Sequence, residues 1–303
     1  MLKKIVLKKK IIKNIIVILT LIILPLRLLA SPQMPDYIIY KNDTIPTYNL
    51  ILEQYLQKNE KFNSEKLFGL SFRNGSFFNC WRGYQAIYKI ENDSLYLTNI
   101  INCGEIRNKN LNKSLSLEKM KTIFGEKVIN SKVYINWFSG ILNFPLNNKL
   151  LRWDGVFYKI YEKETIIEIT NGKIIKSENV ENYSKRPNSL SRKNKEKISD
   201  ILFRKLKKVN WKNIEKLDCS EKYYVTIDKD GKVSKVNMQY KTNEEIEKYY
   251  DKNEYNFCIN TIYTALKNLK FDIISDKGKP ISEDIYIEIF FDSENGKIEN
   301  WTK

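Results

Sequence analysis

The 303-residue chain contains no histidine. That absence removes the Ser-His-Asp and Cys-His arrangements, the usual general base near neutral pH and the commonest side-chain ligand for zinc, copper or iron. Proline is scarce and scattered, at 7 residues, so the chain has no Pro-rich spacer. Arginine supplies only 8 of the 52 basic residues. Arg is the residue of bidentate base contacts, and the Lys excess is spread rather than gathered in a stripe, so nucleic acid is not an expected partner. The 4 cysteines include no CxxC pair, and a Cys₄ zinc site would need both halves of the chain to converge. No cofactor is implied.

What is present is a globular composition, 42% apolar with 13% aromatic, enough for packed cores in one large or two ordinary domains. The first thirty residues stand apart. Lys3, Lys4, Lys8, Lys9, Lys10 and Lys13 precede an apolar run at residues 15–24, followed by Pro25, Arg27 and a small residue, Ala30. That is the order of a secretory signal with a cut after Ala30, and the apolar run is short for a bilayer span. The alternative is an uncleaved membrane anchor. Residues 1–30 carry 7 basic and no acidic residues, so the net charge of +16 falls to +9 without them.

Cys80 and Cys103 lie on one side of the polar stretch "NVENYSKRPNSLSRKNK", residues 179–195, and Cys219 and Cys258 on the other. In an exported chain such pairs read as disulfides within each half, although four cysteines allow three pairings. The layout is then a signal peptide, 1–30; a mostly-β domain with two short helices, 31–178; a polar linker, 179–195; and an α+β domain, 196–303. In the first domain "CWRGYQAIYKIENDSLYLTNIINC" reads as a hairpin turning at "END", with both cysteines at its open end. A short helix is expected over residues 46–57. A second, capped by Ser116, packs Met120, Ile123 and Phe124 and stops at Gly125. Strands follow in "KVYINWFSG" and "GVFYKIYEKE", and "TIIEITNGKIIK" forms a hairpin about Asn171-Gly172. Trp81, Tyr84, Trp137, Trp153 and Tyr158, with Arg82 and Arg152 each beside a Trp, are candidates for a sugar-stacking platform, against the alternative of core packing. Glu162, Glu164 and Glu168 read as the wet face of a strand or as an acid/base set.

In the second domain a helix carries Ile198, Ile201, Leu202, Leu206 and Val209 on one face. Two strands meet at Asp230-Gly231, with a bulge expected near Ser234 or Lys235. A polar segment, residues 242–256, precedes a helix over 257–270, and Phe271 closes it. Gly278 and Pro280 then turn the chain into a strand with Ile285, Ile287 and Ile289 on one face. Asp230, Gly231, Val233, Leu266, Phe271, Gly278, Pro280 and Phe290, in this order of helix, strand, strand, helix, strand, resemble the C-terminal domain of TonB-type proteins over the last hundred residues or so. The resemblance implies a small periplasmic α+β domain that contacts another envelope protein, such as an outer-membrane receptor, by pairing strands. The chain departs from the family in having no histidine and no Pro-rich rod, in Asp272-Ile273 after the buried Phe, and in two added cysteines. The resulting expectation is an exported, non-catalytic protein of the Gram-negative envelope that binds its partner through Ile285, Ile287, Ile289 and Phe290 of the final strand or through a neighbouring edge. An anchored transducer for outer-membrane uptake, and a glycan binder or enzyme built on Trp81, Trp137 and Trp153, are the alternatives.

Overall fold

The computed structural model describes residues 33–59, 78–107, 111–211, 217–239, 242–292 and 295–302. The expected signal segment, residues 1–30, lies outside them. The architecture is mixed α+β, dominated by strands, with five α-helices among the described residues.

The first half begins with β1 (Asp36–Tyr40), β2 (Asp43–Thr47) and α1 (Ile51–Lys58). Pro46 lies in β2, so the expected helix starts five residues later than its apolar spacing suggested. The Cys80–Cys103 hairpin forms as β3 (Tyr84–Glu91) and β4 (Ser94–Asn102), turning on Asn92 and Asp93, both at positive φ. Helix α2 (Lys113–Phe124) is capped by Asn112, whose side chain accepts from the Leu115 amide. Ser116 is not the cap: it is buried inside the helix, accepting from the Ile100 amide at 2.9 Å. Of "KVYINWFSG" only β5 (Val133–Tyr134) and the start of β6 (Gly140–Pro145) are strands. After them come β7 (Leu150–Trp153), β8 (Lys159–Tyr161), β9 (Lys163–Thr170) and β10 (Lys173–Glu181). Asn171 and Gly172 both take positive φ, as a type I′ turn requires. A Cβ on Gly172 would lie 2.1 Å from the Ile135 carbonyl oxygen, so the turn is also a close backbone approach. The sheet runs β2-β1-β3-β4-β10-β9-β6, with β5 paired to β4. Its core gathers Ile38, Leu52, Tyr88, Leu97, Met120, Phe124, Leu142 and Ile167. Beside it Arg82 donates to buried Asp36 at 2.7 Å, and Asp36 also accepts from the Ala86 amide.

The stretch expected as a linker is built into the fold. Asn182 and Arg192 within it are fully buried. Strand β11 (Tyr183–Ser184) pairs with β14 (Ile273–Asp276) of the second half. The Leu190 amide donates to the Lys270 carbonyl, and its own carbonyl accepts from Asp272. Polar composition misled here because the Asn and Arg side chains are consumed by internal partners.

The second half is α3 (Lys195–Leu206), β12 (Glu221–Ile227), β13 (Val233–Met238), α4 (Asn243–Tyr249), α5 (Lys252–Leu266), then β14, β15 (Lys279–Pro280), β16 (Glu283–Asp292) and β17 (Lys297–Asn300). The expected bulge is present: Thr226 pairs with Lys235 and Ile227 with Val233, leaving Ser234 without an opposite. The polar segment before the second helix is itself largely helical, because Thr242 and Glu245 form a reciprocal capping box and Asp251 caps α5 through the Asn253 and Glu254 amides. Strands β13-β12-β16-β17 make one antiparallel sheet. Its inner face shares a core with Ile198, Leu202 and Leu206 of α3 and with Ile262 and Leu266 of α5.

Candidate partner-binding edge of the C-terminal sheet

The two strands at the centre of this sheet alternate. Tyr223, Val225 and Ile227 of β12 and Ile285, Ile287, Ile289 and Phe291 of β16 point inward and are buried. Burying each of the isoleucines contributes about 1.5–3 kcal/mol, so they are core residues and are not presented to a partner. This corrects the expectation for Ile285, Ile287 and Ile289, which are 2%, 0% and 2% exposed. The strand is apolar on one face because the helices cover that face, and alternation alone does not separate a covered face from a docking one. Phe290 points outward, 37% exposed, and its ring stacks on Trp301 at 4.7 Å. Tyr224 and Tyr286 meet edge to face on the same outer surface, 6.1 Å apart. The Tyr286 hydroxyl donates to Glu288 at 2.5 Å. Burial and that carboxylate push the phenol well above its ordinary value.

Several locks hold the sheet. Cys219 and Cys258 are disulfide-bonded, tying the residue two before β12 to α5. The Tyr223 hydroxyl, buried beneath, donates to the Cys219 carbonyl at 2.9 Å. In the β12–β13 turn Gly231 takes φ +73°, and a Cβ there would lie 2.2 Å from the Phe271 carbonyl oxygen. The Phe271 amide in turn donates to the Gly231 carbonyl at 2.8 Å. The Gly of the turn and the buried Phe after α5 therefore form one backbone-to-backbone contact.

At the start of β16 Glu283 accepts from two arginines. Arg152 of β7 reaches it through Nε and, at 2.7 Å, through Nη2, and Arg192 through Nη2 at 2.8 Å. Burial alone would raise the Glu283 pKa, but hydrogen bonds and charge from Arg152 and Arg192 outweigh it and hold the carboxyl below its ordinary value of 4.5. Arg152 thus carries no ligand platform beside Trp153; it joins the two halves.

Edges decide what the sheet can accept. Strand β16 pairs with β12 over residues 283–289, and on its other side with β17 over residues 289–292 only. Beyond that register the Trp301 amide donates to the Glu288 carbonyl and the Glu288 amide donates to the Thr302 hydroxyl, which shows which backbone groups face β17. In an antiparallel ladder those groups alternate, so the N–H and C=O of Asp284 and Tyr286 face the same way. Among the described residues no strand pairs with them. On the opposite edge β13 has no outer neighbour either, but its bulge and the exposed Lys235 are features that discourage strand addition. Strand β17 was missed by sequence reasoning, although Asn295-Gly296 before "KIEN" is a usable turn signal.

The aromatic set of the first half does not converge. Tyr84 is buried. Trp137 packs on Phe124 and Tyr55 and donates to the Ile51 carbonyl. Trp81 and Trp153 are exposed, on different elements. Of the three glutamates only Glu168 lies on a wet face. Glu164 is fully buried between Asn143 and Asn182, at 2.8 and 2.6 Å, with its pKa raised by burial, and Glu162 meets Lys193 at 3.3 Å.

The Cys80–Cys103 and Cys219–Cys258 bonds each stay within one half of the chain, and no helix among the described residues is long and apolar enough to cross a membrane. The disulfides are compatible with an oxidising, extracytoplasmic setting. No family model, curated protein or solved structure matches the chain.

Proposed function

We propose that the chain is a non-catalytic protein of the Gram-negative envelope whose C-terminal domain, TonB C-terminal-like in its order of elements, binds another envelope protein by strand addition. The observation that carries the reading is the strand position beside β16, filled by β17 opposite residues 289–292 and, among the described residues, taken by no strand opposite residues 284–286. An extended segment in line with β17 gains the backbone hydrogen bonds of Asp284 and Tyr286 there, and side-chain contact with the outer aromatics Tyr224 and Tyr286. The two disulfides suit a protein that works in the periplasm.

Site-specific photocrosslinking tests this in the full chain exported by a Gram-negative host. A photoreactive residue at exposed Asp284 is expected to trap one envelope protein through one segment. Tyr286→Pro removes the outward amide at a position where a strand edge tolerates proline, and should abolish that crosslink while the melting temperature stays close to wild type. A crosslink that persists in Tyr286→Pro, or none above that of a probe at exposed Lys176, contradicts the proposal.

A further inference from the structure

Of the first half's aromatic set Tyr158 alone joins aromatics that do converge, with Tyr48, Phe157 and Tyr161 at the junction of the two halves. A cleft of about 280 Å³ opens between β2, the β7–β8 hairpin and the β14–β15 turn, walled by Tyr48, Phe157, Tyr158 and Tyr161 and edged by Asn143, Lys159 and Lys277. Tyr48 and Phe157 meet edge to face at 5.9 Å. Lys159 lies over the Tyr48 ring at 5.9 Å and Lys277 over the Tyr158 ring at 5.3 Å.

The polar atoms of the cleft divide into two groups. Some are committed: the Tyr158 hydroxyl bonds Asp276, the Asn143 amide nitrogen donates to Glu164, and Lys277 lies 3.9 Å from Asp276. The others have no hydrogen-bond partner among the described residues: the Tyr48 and Tyr161 hydroxyls and the Asn143 side-chain carbonyl oxygen, all on half-buried residues. Among the described residues Lys159 meets only ring faces, those of Tyr48 and Trp153. Half-buried donors and acceptors left open beside apolar ring walls suit a ligand that offers C–H faces and several hydroxyls at once. Charge does not favour an anion strongly, because Asp276 offsets Lys277 and Asp154 interacts with Tyr48. The volume lies just under the lower bound of about 300 Å³ for ordinary small-molecule sites, which suits one ring rather than a chain.

We infer that this cleft binds a single uncharged pyranose, stacked on the tyrosine walls and hydrogen-bonded by the Tyr48 and Tyr161 hydroxyls, the Asn143 carbonyl and the Lys159 ammonium. The site is independent of the proposed strand-docking edge and stands if that edge fails.

Calorimetric titration of the full exported chain tests it with glucose, galactose and N-acetylglucosamine, with glucuronate and benzoate as competitors. The expected result is saturable binding of at least one neutral sugar. Tyr48→Phe with Tyr161→Phe, which keeps the ring walls, should raise its Kd about tenfold, as loss of two hydrogen bonds implies; Lys159→Met should raise it less. The inference is overturned if no neutral sugar saturates, if the double variant binds as well as wild type with unchanged melting, or if glucuronate or benzoate binds more tightly than every neutral sugar.

Discussion

Glu283 is the residue on which the two halves meet, and its environment fixes a pH dependence. Its carboxyl, 7% exposed, faces Arg152 and Arg192, which hold it below its ordinary pKa of 4.5. Folding therefore favours the ionised form. The stabilisation is fully present above about pH 4.5 and is lost as pH falls through the lower folded value. Melting temperatures of wild type and Glu283→Gln followed from pH 7 to pH 3 should converge on the acid side. At pH 7 the variant leaves two arginines buried against a neutral amide, a loss of about 3–5 kcal/mol. A constant gap across that range would contradict the assignment. Neither arginine was legible as a partner: Arg192 sits in "NSLSRKNK", which composition reads as solvated linker, and Arg152 beside Trp153 reads as half of a ligand platform. Ion pairs between residues 131 and 91 positions apart leave no mark in local spacing. The cysteines were legible at this scale, because their positions at the open end of one hairpin and beside a strand and a helix already satisfied the reach of a disulfide.

Among the elements, turns and bulges read from sequence most faithfully, since their chemistry is local. Asn171-Gly172, Asn92-Asp93 and the bulge at Ser234 all follow from residues adjacent in the chain. Helix starts read less well. Ser116 suits a cap by type, but Asn112 takes that place, and the capping box at Thr242 and Glu245 was present in a segment judged only by its polarity. Gly231 joins the local and the long-range: it was expected as a turn glycine, and the structure adds that its α-carbon abuts the Phe271 backbone. Gly231→Ala combines a strained positive φ with that clash and should cost about 2–3 kcal/mol. Denaturant unfolding at constant m-value measures it. A loss below about 0.5 kcal/mol would mean that the β12–β13 turn and the end of α5 are not locked together.

For the whole molecule, the two larger of the three hydrophobic clusters follow the distribution of apolar residues on either side of residues 179–195, and the third, Leu151 and Ile160 with Ile274, joins the two sides. The way the halves are joined does not, because β11–β14 pairing, buried Asn182 and the Glu283 arginines are all long-range. The functional surface suffers from the same blindness. Alternation in "IYIEIFF" identified a strand, yet whether a strand is central or at an edge depends on its neighbours, and β17 supplies one over only part of its length. That half-filled position is the core of the functional account. Hydrogen–deuterium exchange of the free protein, read amide by amide by NMR, tests it most directly. Ile285 and Ile287, whose amides face β12, should exchange slowly, as should Phe290 opposite β17, whereas Asp284 and Tyr286 should exchange at least a hundredfold faster, close to open-edge rates. Protection of Asp284 and Tyr286 equal to that of Ile287 would mean that the position is already occupied, and the proposed docking edge would not exist.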